Sequence, residues 1–292
     1  MTENVDVLPL TPGHRFPVAK YGAIVGTLAR EFPRAMMLGA PAAWSDIAAV
    51  HDPDYVAAVR SGTLGAPAIR RLGLPWSDQL VARSRRSVGG TLAAVEWAIQ
   101  TGAAGHLAGG THHAFRDRGE GFCTFNDIAI AIAVARRDRG LRRIAVVDLD
   151  VHQGNGTASI FASDPDVFTL SLHGARNYPF AKEASTLDVP LPDACDDATY
   201  LRALDEALER VGAFRPELVL YQAGVDTLHG DLLGRMSLTH DGLRARDARV
   251  FAAARAWASP LVVTLGGGYG RDVRASIEAH VNVYRGLVAA LG

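Results

Sequence analysis

Lysine is nearly missing from this chain: Lys20 and Lys182 are the only two in 292 residues, and arginine carries almost all the positive charge. A Schiff-base lysine or a lysine-dependent phosphate loop is therefore an improbable basis for its chemistry. Cysteine is as scarce. Cys123 and Cys195 stand far apart, which excludes a disulfide framework or cysteine-rich zinc module and makes a reducing cytoplasm the expected compartment. No uncharged apolar run reaches membrane-spanning length. The opening Met1-Thr2-Glu3-Asn4-Val5-Asp6 has two acids and no basic stretch, unlike a secretory signal. Thirty basic against thirty-one acidic side chains give a net charge of −1, so nothing at whole-chain level calls for nucleic acid or an anionic membrane. Repeats, low-complexity tracts and long linkers are also absent, and one domain over 1–292 is the expectation.

What is present is apolar material, 48% of the residues, enough for a large core. Short β-branched runs predict buried strands at Ile144–Leu149, Val167–Leu172, Leu218–Gln222 and Leu261–Leu265, with a weaker one at His106–Gly109. Helical patterns fall between and around them, at Gln79–Gln100, Asn126–Arg139, Ala198–Val211, Thr239–Trp257 and Arg271–Leu287. The Gly/Pro-punctuated stretch Gly62–Gly73 is expected to loop. Alternation of this kind describes an α/β protein with a mostly parallel sheet covered by helices on both faces.

Polar clusters follow four of the apolar runs: Gly109-Gly110-Thr111-His112-His113, Asp148-Leu149-Asp150-Val151-His152, Ala223-Gly224-Val225-Asp226 and Gly266-Gly267-Gly268-Tyr269. In an open parallel sheet the carboxyl ends of the strands share one edge, where ligands bind, so the four clusters can meet there. The period-two spacing of Asp148, Asp150 and His152 would turn all three side chains to one side of an extended chain. Buried acids so placed need a counter-charge, a hydrogen-bond network or a metal. Such residues also serve as caps and ion pairs at a strand-to-helix junction. Asp226 at a second strand end favours the metal. One nitrogen and two carboxylates leave a position open, as in catalytic zinc sites, although iron or cobalt would also suit them.

A metal-activated water needs a base and an acid, and His112 and His113 suit both roles near neutrality. Tyr269, after three glycines, could donate to a carbonyl oxygen as charge develops there. His51, His173, His229 and His240 receive no chemistry on spacing alone. Gly154-Asn155-Gly156 raises a dinucleotide site as a competing reading. Ser159 replaces the third glycine of that fingerprint, and Asp150 and His152 stand where a pyrophosphate would sit.

These residues resemble the histone deacetylase superfamily, which includes acetylpolyamine amidohydrolases and acetoin-utilisation proteins and shares an arginase-like α/β fold. The likeness runs from His14 and His51-Asp52-Pro53-Asp54-Tyr55 through Gly110–His113, Gly121–Asp127, Asp148–Gly156 and Ala223–Asp226 to Gly268-Tyr269. Arg116–Cys123, the His152–Gly156 wording and Tyr178–Lys182 look most like the class IV branch and its bacterial relatives. The resemblance implies zinc on Asp150, His152 and Asp226, proton shuttling by His112 and His113, and an oxyanion donor in Tyr269. Asp148 would orient His112. Gly121, Phe122, Leu233 and Gly267 would contact the substrate, and a potassium ion would use oxygens of Asp148, Asp150, His152, Ser171 and Leu172. Asn155 departs from the aspartate of the best-known members, which makes His113 harder to protonate.

The expected function is hydrolysis of an N-acylated lysine, acetyl or long-chain. The alternatives are an acetylpolyamine or other small N-acyl amine, which acidic residues at the mouth would favour, and a non-catalytic acyl-lysine-binding protein. Nothing in the residues fixes an oligomeric state.

Overall fold

The computed structural model describes residues 2–3, 8–11 and 13–291. Its strands are β1 (Thr2–Glu3), β2 (Met37–Leu38), β3 (Ala103–His106), β4 (Ile144–Asp148), β5 (Val167–Gly174), β6 (Leu187–Leu191), β7 (Leu218–Gln222) and β8 (Leu261–Thr264). They form one sheet in the order β2-β1-β3-β8-β7-β4-β5-β6, and every described pairing is parallel.

Side-chain alternation shows why both faces must be covered. Ala145, Val147, Val219, Tyr221, Leu261 and Val263 enter one core, while Ile144, Val146, Leu218, Leu220 and Val262 enter the other. Helices Ala19–Glu31, Asp197–Phe214, His240–Ala256 and Val273–Leu291 cover the first face, and Asp78–Thr101 and Asp127–Arg139 cover the second. Ser77, Asn126, Asp196 and Thr239 cap four of these helices by accepting from a backbone N–H three residues on.

The expected strands and helices are present, Leu218–Gln222 at its expected ends and most others with shifted ends, while β1, β2 and the helices Ala19–Glu31, Trp44–Ala48, Pro53–Ser61 and Asn155–Phe161 are additions to them. The strand expected at His106–Gly109 lies earlier, at Ala103–His106, because Ala103-Ala104-Gly105 contains no β-branched residue to mark it. The edge strand β6 was not expected, since it is only partly buried and contains Pro190. The stretch Gly62–Gly73 is not all loop. Ala66–Leu72 is a helix with Pro67 in its first turn and Gly73 in the left-handed conformation after its end, so both breakers sit where helices tolerate them.

Beneath the carboxyl ends of β4 and β7 lies the fully buried Arg246. Its guanidinium donates to the carbonyls of Gly224 (2.6 Å) and Leu149 (3.4 Å) and to Asp247 (2.9 Å), whose carboxylate also accepts from the Tyr221 hydroxyl at 2.5 Å. Substituting Arg246→Met leaves Asp247 buried without its cation and is expected to cost about 3–5 kcal/mol. Arg249→Ala, which breaks a solvent-facing pair with Asp205, should cost less than about 1 kcal/mol. Urea unfolding of the two variants checks the contrast; equal losses would contradict it.

Candidate active site

The four polar clusters follow β3, β8, β7 and β4, which are adjacent in the sheet. After β3 the chain turns at Gly109 and Gly110, both left-handed (φ 76° and 77°), where a side chain on Gly110 would also collide with Gln222. Asp127, at the start of its helix, pins this turn by accepting from the backbone N–H groups of Gly110 (3.0 Å) and Thr111 (2.7 Å). His112 and His113 leave the turn side by side, ring centroids 4.1 Å apart.

Strand β4 ends at Asp148, so the period-two reading does not carry through Asp150 and His152. The chain instead folds on itself, with the Asp150 N–H donating to Asp148 (3.1 Å) and the His152 N–H to Asp150 (3.0 Å). Asp148 consequently faces the Nδ1 of His112 at 2.6 Å, while Asp150 and His152 turn toward Asp226. His152 Nδ1 lies 2.9 Å from Asp150 and 3.2 Å from Asp226, and ligating atoms of all three fall within 4.8 Å of one another.

Three features of this cluster fit a cation. Asp226 Oδ2 is buried and takes no hydrogen bond, since the His152 Nδ1 at 3.2 Å is engaged with Asp150 at 2.9 Å. Burial and the neighbouring Asp150 push the Asp226 carboxyl up to about 7. Close backbone approach leaves room only for glycine at 267: a Cβ there would stand 2.0 Å from Asp226 Oδ2 and 2.8 Å from Asp150 Oδ2. The donor set, two carboxylates and one imidazole, matches a zinc site with an open position.

The histidines differ electrically. Burial lowers the His112 imidazole, but Asp148 and Asp150 raise it more, to about 9. His113 lies well below the ordinary range through burial and the neighbouring His112 and His152. Its Nδ1 meets Asn155 Oδ1 at 2.7 Å, and the Asn155 amide donates to Glu120 Oε1 at 3.2 Å. A carboxylate only accepts, so Glu120 fixes the amide's orientation and Asn155 in turn fixes the proton on His113 Nδ1. Tyr178 also donates to Glu120, and its ring stands edge-on to His113 with centroids 5.1 Å apart. Glu120 and Tyr178 lay inside stretches that carried the family likeness, but their side-chain chemistry was not read from the sequence.

Tyr269 lines the same cavity, about 660 Å³, as His112, His113, Asp150 and His152. Burial raises its phenol well above the ordinary value. The turn before it is held by the buried Lys20, whose ammonium donates to Gly268 O at 3.1 Å and lies 5.2 Å over the Tyr269 ring. Burial lowers that lysine to about 8. Gly121, Phe122, Leu233 and Gly267 also line the cavity. Gly121 and Phe122, both at positive φ, donate to the Arg71 and Leu72 carbonyls at the end of helix Ala66–Leu72. Ser171 pairs in register with Asp148, and Leu172 follows it on β5. Ser171 Oγ is 3.0 Å from His173 Nδ1, and both Asp148 oxygens take hydrogen bonds. Among the described side-chain oxygens of Asp148 and Ser171 none is orphaned as Asp226 Oδ2 is.

The histone deacetylase domain family matches residues 14–284. The chain belongs to the histone deacetylase family. It is 43% identical over 286 residues to an uncharacterised protein of Picosynechococcus, covering 96% of this chain and 94% of that protein. It is also 34% identical to histone deacetylase 2 of Arabidopsis thaliana, covering 94% and 76% respectively. The crystal structure of a histone deacetylase homologue complexed with SAHA superposes with a TM-score of 0.85 at 26% identity, covering 99% of this chain and 83% of the other. Membership brings the deacetylase and amidohydrolase class of activity to this fold. None of the described helices is long and apolar enough to cross a membrane.

In this deacetylase-family site Gly267→Ala should weaken zinc binding by about 100-fold, the upper range for disturbing groups around metal ligands. Competition with a chelating dye measures it, with circular dichroism verifying the fold. Parent-like affinity would show that the cluster does not depend on this close approach.

Proposed function

We propose that this chain, as one deacetylase-like domain over 1–292, is a zinc-dependent amidohydrolase that removes acyl groups from lysine side chains. The observation that carries the reading is the buried Asp150–His152–Asp226 cluster, with its unpaired Asp226 oxygen, two of whose members, Asp150 and His152, line one cavity with His112, His113 and Tyr269. Asp150, His152 and Asp226 would hold the ion, which when bound supplies Lewis acidity to water and to the acyl carbonyl.

The protein's own groups do the remaining work. His113, neutral and carrying its proton on Nδ1, keeps Nε2 to accept a proton from the attacking water. His112, backed by the Asp148 carboxylate at 2.6 Å, supplies the complementary charge and a proton for the departing amine. Tyr269 donates its hydroxyl to the carbonyl oxygen as negative charge grows there, and burial keeps that phenol protonated. Gly121 and Phe122 form one tunnel wall and Leu233 the other, with Gly267 at the floor. Carboxylate and amine are the products.

The apolar part of the cavity, with Phe16, Leu72, Leu74 and Leu80 among its walls, also admits acyl chains longer than acetyl. A polyamine substrate would need acids at the mouth, and arginines stand there instead. A pure binding role would leave the arranged proton donors and acceptors without use.

Mass-spectrometric hydrolysis of acetyl-lysine peptide, long-chain acyl-lysine peptide and acetylated polyamine by zinc-loaded protein tests the proposal. Chelator-sensitive cleavage of a lysine peptide is expected. No cleavage of any component, with zinc bound stoichiometrically, would overturn it. Tyr269→Phe should lower kcat by about 10²–10³, the cost of losing one oxyanion donor, with zinc content unchanged. Glu120→Ala should lower kcat about tenfold at near-constant KM, less than the roughly 10²–10⁴-fold that loss of the acid–base group itself would cost. Glu120→Gln should restore most of it, because its amide oxygen still accepts from Asn155. Equal defects in both Glu120 variants would remove the positioning role.

A further inference from the structure

The mouth of the cavity carries a charge pattern that the net charge of −1 conceals. Arg15, Arg70, Arg71, Arg176 and Arg235 all line it and are all exposed, while the sole acid among the described lining residues is the buried Asp150. Arg176 and Arg235 share one carboxylate, Asp193, at 2.6 and 3.3 Å. The side chains of Arg15, Arg70 and Arg71 make no ion pair with any described residue, so their charge faces the solvent at the cavity entrance. Apolar surface lies in the same place: Phe180, 87% exposed, and Leu232, 58% exposed, also line the cavity. Arginine interleaved with an exposed aromatic and an exposed leucine is the composition of a protein-contact surface.

From this we infer that the mouth binds an acidic peptide segment flanking the acylated lysine, with carboxylates of the segment against the arginines and its apolar side chains against Phe180 and Leu232. The inference rests on the deacylase reading of the cavity and names the class of its substrate. Acylation removes the lysine's own charge, so the acyl-lysine enters the tunnel neutral and the flanking residues alone meet the arginines. A basic tail or an acylated polyamine brings like charge to the same ring and is repelled. Guanidinium groups suit carboxylates in particular, through paired N–H donors in a planar fork.

The test uses three peptides of equal length with the same acyl-lysine, flanked by Asp and Glu, by Ser and Gly, or by Lys and Arg. At low salt, kcat/KM for the acidic peptide should exceed that for the basic one by about tenfold or more, the lower range of electrostatic steering. The advantage should shrink toward 1 M salt, where screening acts within about 3 Å. In Arg15→Gln/Arg70→Gln/Arg71→Gln it should largely disappear while the neutral peptide changes less than about twofold, as exposed charges without partners contribute little to stability. Arg176→Gln/Arg235→Gln repeats the experiment on the opposite side should the triple variant fold poorly. Fluorescence anisotropy of the same labelled peptides on metal-free protein supplies a readout without turnover. Equal binding of all three, or preference for the basic peptide, overturns the inference whatever the hydrolysis. Acidic-first binding without hydrolysis of any peptide supports the mouth and overturns the deacylase reading. Cleavage of a free N-acyl amino acid as fast as the acidic peptide would make the occupant a small anion and also overturn the peptide proposal.

Discussion

Asp150 and Asp226 face the same imidazole nitrogen in a region closed to solvent, and no arginine or lysine forms an ion pair with either. Two buried carboxylates in that position are costly, and their burden is visible in the raised Asp226 and in its unpartnered oxygen. The surrounding fold can be understood as the means of holding them there. Each is tied by backbone donors, Val151 N–H to Asp226 (2.9 Å) and Gly267 N–H to Asp150 (2.8 Å), so neither can swing away to relieve the charge. Arg246 braces the carbonyls directly beneath, at Gly224 and Leu149. A site burdened in this way has the chemistry to receive a divalent cation.

That arrangement requires four neighbouring strands pointing the same way, which explains how far the sequence could be read. The buried strands stand out because both faces are covered and their β-branched runs are nearly continuous; β7 was located at its observed ends, Leu218–Gln222. β3 was misplaced and β6 missed because a strand beginning Ala-Ala-Gly, or an edge strand containing Pro190, lacks that signature. The helix Ala66–Leu72 was hidden by its own stop signals, which at either end of a short helix look like those of a loop.

The site was legible for a similar reason. Residues that follow recognised strands can be placed from topology alone, strong strands for Asp150, His152, Asp226 and Tyr269 and a weaker one for His112 and His113, which brings all six to one sheet edge. Spacing by itself misled at Asp148. The strand ends there, and its carboxylate serves His112 while the next two polar residues turn the other way. Glu120 and Tyr178 come from loops and Lys20 from the helix Ala19–Glu31, and no periodicity links them to the centre. Their roles follow from three-dimensional neighbours: Glu120 behind Asn155, Lys20 beneath Gly268.

The two histidines show why these outer contacts matter. They are adjacent in sequence and nearly stacked, yet one is drawn to the charged form and the other held neutral. The difference lies in what stands behind each ring. An aspartate at 2.6 Å can stabilise a positive imidazole, whereas an asparagine at 2.7 Å can orient a ring without compensating its charge. Glu120 makes the asparagine dependable, because an amide facing only hydroxyls could turn either way, but one facing a carboxylate must present its N–H₂ there. The asparagine behind His113 thus leaves the two rings electrically unlike, the difference on which the proposed division into acceptor and donor rests. Both rings line the same cavity as Tyr269.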